Sequence, residues 1–405
     1  MQSINIPFNK PFITGNELEY IKDAVEYGHI SGNGKYTKLT QQFFERQFGF
    51  KKCLLTTSCT DALEMCAILM DIKPGDEVIM PSYTFVSTAN AFELRGATIR
   101  FADSRPDHPG IDEHSIRALI TKHTKAIVAV HYAGVACDMD TIIRIADEYG
   151  LYVVEDAAQA INSYYTHHDG SVSPLGSIGH FGTFSFHETK NIIAGEGGML
   201  AVNAEEFFER AEIIWEKGTN RTAFFRGEVD KYGWVDVGSS FLPSELNAAF
   251  LYAQLCNLIR IQQKRMSTWN KYHKELLDTC KRLNIGQPII PDYATNNGHM
   301  YYLVCKTEAQ RNNLIAHLKE LGIHSVFHYQ SLHESEYFKE KHDNRILSNT
   351  NRYSHHLVRL PFYYELSTKD QDIVIDAVKS FGGHRQQLFK KDWHKTVVNP
   401  HVATA

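Results

Sequence analysis

Short continuous apolar runs separated by helical repeats dominate the middle of the chain. Val78-Ile79-Met80, Thr98 to Phe101, Ala126 to Val130 and Leu151 to Val154 are each bounded by Gly, Pro or polar residues, with helical patterns such as Met139 to Tyr149 between them. Continuous apolar strands alternating with helices predict an α/β fold with a mostly parallel central sheet covered on both faces. Two more runs, His180 to Phe186 and Met199 to Val202, flank a lysine and a glycine-rich turn. Upstream, the pattern predicts a helix over Glu17 to Tyr27. Ala62, Met65, Cys66 and Leu69, at i, i+3, i+4 and i+7, predict an amphipathic helix that starts just after Ser58. Beyond Leu246 a helical run passes through Leu251, Leu255, Leu258 and Ile259. It is followed by a strand over His299 to Cys305, a helix over Ala309 to Leu321, a strand over His324 to Tyr329 and a helix over Lys369 to Ser380. The expected division is a large α/β unit over 1–245, a small C-terminal α+β unit over 246–382 and a peripheral tail over 383–405 that lacks a core pattern.

Composition narrows the class. The chain has 405 residues, 43% hydrophobic and 22% charged, an ordinary balance for a large globular protein. With a net charge of −5 and no basic block, nucleic acid is not an expected partner. No segment approaches the roughly 18 apolar residues of a membrane span, and the first residues lack the pattern of a signal peptide. Seven cysteines without CxxC spacing read as reduced thiols, with no metal site and no disulfide framework. A cytoplasmic location is expected.

Candidate chemistry falls at the ends of the predicted strands, where ligands of such sheets bind. Lys190 lies between two strand-like runs, so it is held in place; partly desolvated, it can act as an amine nucleophile near neutral pH. A lone loop lysine is more often a solvated one; the neighbours of Lys190 set it apart. Ser58-Cys59-Thr60 sits at a helix start, where free N–H groups favour an anion, although ordinary capping uses the same groups. Asp156 closes a strand buried on both sides and needs a cationic or donor partner; a capping role for the next helix is the alternative. Phe85 offers a ring face to a flat heterocycle or else packs in the core. Gln159 could orient a phenolic oxygen. The turn Gly32-Asn33-Gly34 could bring backbone to a ligand or serve only as a turn. A phosphate seat, a ring partner, a ring-nitrogen carboxylate and a Schiff-base lysine are together what pyridoxal 5'-phosphate requires.

The segments TTSCTDAL (56–63), GDEVIMPSYTFVSTANA (75–91), VEDAAQA (154–160), GSIGHFGTFSFHETKNI (176–192) and EGGM (196–199) occur in this order. Through them the chain resembles the DegT/DnrJ/EryC1/StrS family of fold-type I, pyridoxal-phosphate-dependent sugar aminotransferases, over nearly its whole length. The resemblance implies that Lys190 joins the cofactor and shuttles the proton, and that Asp156 partners the ring nitrogen. Gln159 would contact the phenolic oxygen, Phe85 would stack on the ring, and Ser58, Cys59, Thr60 and Ser185 would hold the phosphate. Relatives reach the phosphate from a neighbouring subunit with the Asn of a Gly-Tyr-Asn turn. Here the turn is Gly238-Ser239-Ser240, so Ser240 would replace that amide in a homodimer with shared sites. His328, Tyr329 and His333 stand where relatives shape the sugar-nucleotide cleft, and His187 is a neighbour of the site. Relatives that replace the lysine by histidine are dehydratases; Lys190 is retained.

The stretches at 216–249 and 326–333 resemble a subfamily that supplies amino sugars for bacterial surface polysaccharides. They imply L-glutamate as donor, a dTDP-linked 4-keto-6-deoxyhexose as acceptor and pyridoxamine 5'-phosphate as the aminated cofactor. The competing expectations are a 3-keto-sugar aminotransferase and a cofactor-binding sensor or scaffold without turnover.

Overall fold

A computed structural model of the chain describes residues 5–382. The tail expected to be peripheral, 383–405, lies outside the described residues. A seven-stranded sheet forms the centre. Its strands are β1 (Lys52–Thr56), β2 (Glu77–Pro81), β3 (Thr98–Ala102), β4 (Thr124–Val130), β5 (Tyr152–Asp156), β8 (Phe181–Ser185) and β9 (Gly198–Val202), and the short hairpin β6 (Tyr164–Thr166) and β7 (Val172–Pro174) stands apart from them. The sheet order is β1-β9-β8-β5-β4-β2-β3. Pairing is parallel from β8 across to β3, and only β9 runs against its two neighbours. The apolar runs are continuous because both faces are buried: Ile127 and Ala129 join one core, while Ala126 and Val128 join the other.

Register builds the site. Val130, Asp156 and Thr183 lie side by side at the carboxyl ends of β4, β5 and β8. Thr56, Gly198 and Ser185 lie side by side where β1 and β8 end and β9 begins. The turn after Thr56, the loop after Ser185 and Asp156 therefore meet at one edge of the sheet.

The helix predicted after Ser58 is present as Cys59–Leu69, but it is not amphipathic. Leu63, Ala67 and Ile68 are buried as well as the predicted face, because the helix is enclosed by the sheet and by neighbouring helices. Helices Glu17–Glu26 and Met139–Tyr149 match their patterns, and Lys35–Phe48 and the strand β1 were not anticipated. The run beyond Leu246 breaks at Cys256-Asn257 into Glu245–Leu255 and Leu258–Leu283.

A separate core gathers Trp269, Tyr272, Leu314, Leu318, Val374 and Val378 from the C-terminal helices. It packs on β10 (Tyr302–Val304) and β11 (Leu357–Arg359), an antiparallel pair. The strand expected over His324 to Tyr329 is reduced to one backbone bridge between Val326 and Arg359. Ile6 belongs to this core, and its N–H donates to the Gly322 carbonyl at 2.9 Å, so the start of the chain is tied to the C-terminal elements. Among the described residues no helix is long and apolar enough to cross a membrane, and all seven cysteines are free thiols.

Candidate active site

A cavity of about 870 Å³ opens at the carboxyl edge of the sheet. Its floor comes from the strand ends and its far wall from Val326 to Tyr329, Arg359 and Phe362. It brings together eleven of the expected residues: Ser58, Cys59, Thr60, Phe85, Asp156 and Gln159, with Ser185, His187, Lys190, His328 and Tyr329.

Lys190 projects from a loop that β8 and β9 close between them. Phe186 N–H donates to the Gly197 carbonyl (2.8 Å), Ala194 N–H to that of Phe186 (2.7 Å) and Lys190 N–H to that of His187 (2.9 Å). Phe186, Ile192 and Ile193 anchor the loop in the core. The loop cannot be displaced without exposing these three side chains, so the amine is fixed from both sides. Burial pushes the Lys190 amine below the ordinary lysine value, partly offset by Cys59 and Asp156. A larger share of it is then the neutral, nucleophilic form.

In the same cavity, helix Cys59–Leu69 presents its first turn. Ser58 Oγ accepts from Asp61 N–H at 3.1 Å, the ordinary cap. The N–H groups of Cys59 and Thr60 have no carbonyl one turn before them and remain for an anion. The cap and the anion seat thus coexist. Gly198 allows the approach: a Cβ there would lie 2.2 Å from the Ser58 carbonyl carbon. Burial, and secondarily Asp156, raises the Cys59 thiol well above the ordinary cysteine range, so Cys59 stays protonated and is no nucleophile.

Asp156 is 6% exposed. Its Oδ2 accepts from Thr88 Oγ1 at 2.7 Å and its Oδ1 from Ala158 N–H at 3.2 Å. No cationic side chain forms an ion pair with it among the described residues, which leaves it free to face a protonated ring nitrogen. Gln159 Oε1 accepts from Ala133 N–H (2.6 Å), and its Nε2 donates to the Tyr329 hydroxyl (2.8 Å), leaving one Nε2 hydrogen. Phe85 is exposed and lies 6.1 Å from the Tyr329 ring. His328 stacks on Tyr329 at 3.7 Å, and its Nδ1 and the Tyr132 hydroxyl share a hydrogen bond of 2.6 Å. Burial, reinforced by Arg359, holds His328 neutral, well below its usual value.

Four expected residues lie outside the cavity. His333 is buried against Ser82, which it meets at 2.8 Å through Nδ1 and 3.0 Å through its backbone N–H, so its ring ties β2's end to the segment after Gln330. Gly32 and Asn33 pack elsewhere: a Cβ on Gly32 would strike the Pro243 carbonyl at 2.6 Å, and Asn33 Nδ2 donates to Glu216. The glycines of this turn answer a steric demand of residues 242–245 and not, within one chain, a ligand. Ser240 pairs with Glu216 through a backbone bridge and is not among the residues that line the cavity.

Sequence reading missed Thr88, His299 and Arg359. Thr88 had a signal, since it follows Thr84 by one helical turn at the strand end. His299 and Arg359 had none, because they reach the cavity from short C-terminal elements.

The chemistry of these donors fits pyridoxal phosphate: an anion seat, a carboxylate held by donors but without a cation, and a lysine whose amine burial holds below its ordinary value. The DegT/DnrJ/EryC1/StrS aminotransferase family model matches residues 11–379. The chain belongs to that family. Similar solved structures include the PLP form of Spr1654, a putative sugar aminotransferase from Streptococcus pneumoniae (25% identity, TM-score 0.83, covering 93% of this chain and 98% of that one). Its PMP form aligns to the same extent. DesV from S. venezuelae is 26% identical with a TM-score of 0.83, covering 93% and 98%. A family member from Brucella abortus is 26% identical with a TM-score of 0.81, covering 91% and 95%. This sugar aminotransferase therefore has an α/β fold with a mostly parallel sheet, and its cofactor is pyridoxal phosphate.

Proposed function

We propose that this aminotransferase moves an amino group from L-glutamate to the C4 keto group of dTDP-4-keto-6-deoxy-D-glucose, giving dTDP-4-amino-4,6-dideoxy-D-galactose. The observation that carries the transfer chemistry is the convergence of Lys190, Asp156 and the Ser58-Cys59-Thr60 turn on one cavity. The choice of acceptor is supported by the resemblance of the stretches at 216–249 and 326–333. Bound pyridoxal phosphate supplies the electron sink and carries the amino group between the two substrates.

The chain's residues do the rest. Lys190 Nζ takes the proton from the donor's α-carbon and returns one to the sugar's C4; such a positioned acid–base contributes roughly 10²–10⁴-fold. Asp156 keeps the ring nitrogen charged, with Thr88 and Ala158 N–H fixing the carboxylate's orientation. The Cys59 and Thr60 N–H groups, with Ser58 and Ser185, hold the phosphate. Phe85 covers one face of the ring, and Gln159 and Tyr329 form a hydrogen-bonded edge. His187 and His328 border the sugar subsite.

We also propose a homodimer, in which Ser240, Gly32 and Asn33 of one subunit border the partner's cavity. Beside Ser240 the surface exposes Trp234 (83%), Phe225 (69%) and Tyr232 (54%), an apolar patch of the kind that subunit contacts cover. Trp234→Asp is expected to shift the protein toward monomer in sedimentation and to lower activity with it. The function is tested by incubation with L-glutamate and the 4-keto nucleotide sugar, followed by product NMR. Nitrogen at C4 with galacto configuration agrees. Amination of a 3-keto isomer instead would move the assignment to C3, and binding without turnover would favour the sensor reading.

A further inference from the structure

His299 lines the cavity, is 8% exposed and has no role in the reaction so far. Its backbone is held firmly. Arg265 Nε and Nη2 donate to the Gly298 and His299 carbonyls at 2.9 and 2.6 Å, and Asn297 Oδ1 accepts from His299 N–H at 3.0 Å. The ring Nδ1 lies 2.8 Å from Oδ1 of Asn191, the residue that follows Lys190. The Asn191 amide has a fixed orientation. Its Nδ2 donates to the Asn297 carbonyl at 3.0 Å and to Gln262 Oε1 at 2.9 Å, and Gln262 Nε2 donates to the Ile161 carbonyl at 3.3 Å. Backbone carbonyls only accept, so Asn191 must turn Oδ1 toward His299. That oxygen also only accepts, so the hydrogen in the 2.8 Å bond sits on His299 Nδ1.

Burial, and after it the charge of Lys190, holds the His299 ring neutral, well below the ordinary 6.5. With the hydrogen on Nδ1, Nε2 carries a bare lone pair. No group among the described residues donates to it. Such a nitrogen receives a hydrogen and gives none, so phosphates and carboxylates are not its partners. Three groups bring hydrogens into the cavity: the Lys190 amine, the donor's amine and the sugar hydroxyls. In the proposed reaction both amines are engaged with the cofactor in turn, which leaves the hydroxyls. A 4-keto-6-deoxyhexose joined to its nucleotide through C1 has free hydroxyls at C2 and C3, and only the second adjoins the carbon at which Lys190 acts. The bond to Asn191 sets the His299 ring beside the backbone of Lys190, which favours C3.

Resting on the C4 aminotransferase reading, we infer that His299 Nε2 accepts a hydrogen bond from the C3 hydroxyl of the keto sugar and so helps to select the acceptor. The same lone pair works against a 3-keto isomer, whose carbonyl oxygen has no hydrogen to give and would meet Nε2 as one acceptor meets another.

The test separates the two half-reactions of the holoenzyme. Loss of the visible cofactor band is followed against L-glutamate concentration, and its return against the keto nucleotide sugar. His299→Asn keeps an N–H where Nδ1 stood, for the bond to Asn191, and deletes Nε2. It is expected to raise half-saturating keto sugar by roughly 5–100-fold, the range for a buried hydroxyl left without its partner, and half-saturating L-glutamate by less than about 3-fold. His299→Gln, which can set an oxygen where Nε2 stood, should recover part of the loss. The matching substrate is the same nucleotide sugar without its C3 hydroxyl. It should bind the wild type more weakly than the parent sugar by a similar factor, and His299→Asn should tell the two sugars apart by less than about 3-fold, as two halves of one bond do. Undiminished discrimination in His299→Asn would overturn the inference. Equal losses in both half-reactions would put Nε2 on Lys190 or mark a structural role, and unchanged sugar saturation would remove His299 from the acceptor site; either overturns it. If the wild-type band, once bleached by glutamate, returned with no 4-keto nucleotide sugar, the C4 reading itself would fail, which no His299 result can mimic.

Discussion

Gly198→Ala tests whether the turn at residues 58–60 holds the cofactor phosphate. Gly198 opens β9 directly beside that turn, with Thr56 and Ser185 as its register partners. A Cβ at this position would lie 2.2 Å from the Ser58 carbonyl carbon, 2.3 Å from its oxygen and 2.4 Å from the Cys59 nitrogen. All three are backbone atoms, so no side chain can rotate away. Restoring ordinary contact at 3.4 Å requires the turn to move by about 1.2 Å. Overpacking of this kind costs about 1–3 kcal/mol or more. A shift of about 1 Å in a positioning group lowers its effectiveness by as much as about 100-fold. The variant is therefore expected to bind pyridoxal phosphate roughly 30–100-fold more weakly, and its apoenzyme to lose about 3 kcal/mol. Titration of the apoenzyme by visible absorbance and its unfolding in urea measure the two effects separately. Gly49→Ala is the control: Gly49 is left-handed (φ +70°) at the end of helix Lys35–Phe48, with nothing within 4 Å of a Cβ. It should cost about 1 kcal/mol and leave cofactor affinity unchanged. Wild-type affinity in Gly198→Ala would refute the assignment of the phosphate seat, whatever the change in stability.

Other outcomes follow from buried polar groups. Glu245 accepts the N–H groups of Gly34 (2.9 Å), Tyr36 (2.6 Å) and Thr37 (3.1 Å), along with the Thr37 hydroxyl. Glu245→Ala strands all of these donors and should destabilise the protein by about 3–5 kcal/mol in urea unfolding; a loss below about 1 kcal/mol would mean water replaces the carboxylate. Gln159→Leu removes the partners of Ala133 N–H and of the Tyr329 hydroxyl. It should lose about 1–3 kcal/mol of stability and weaken cofactor binding, and a purely local stability effect would separate Gln159 from the site. His299 and His328 are held well below the ordinary histidine value of 6.5, first by burial and then by neighbouring cations. They contribute stability above pH 6.5 that is lost as pH falls toward their lower folded values, because only the unfolded chain takes up those protons. The double variant His299→Gln/His328→Gln should flatten the fall in urea midpoint as pH drops below 6.5. An unchanged slope would assign the acid sensitivity elsewhere.

What the sequence revealed depends on how local each signal is. Buried strands of five to seven residues announce themselves by continuous apolar runs, so β2 to β5, β8 and β9 were legible. Helix Met139–Tyr149 had both its amphipathic repeat and Asp138, whose side chain caps it. The lysine loop was legible because glycines and an apolar strand bracket it. Residues 324 to 329 misled, since an alternating pattern forms a strand only where a neighbour offers a ladder, and here β11 offers one bridge. That same three-residue β11 carries Arg359, so the cation in the far wall had no periodic signal at all. Gly32 and His333 show the converse: both looked like site residues, and within the chain one answers the Pro243 carbonyl and the other the Ser82 hydroxyl. Steric demands and pairings between residues more than 200 positions apart leave no mark on local composition.

The central claim is that Lys190 carries the cofactor and that the enzyme uses it to move nitrogen. The most direct measurement is the visible absorption spectrum of the holoenzyme before and after L-glutamate, and again after dTDP-4-keto-6-deoxy-D-glucose, with Lys190→Ala in parallel. The account predicts a visible band that fades with glutamate and returns with the keto sugar in the wild type, and neither change at a comparable rate in Lys190→Ala. Nitrogen transfer at an undiminished rate in Lys190→Ala would contradict it.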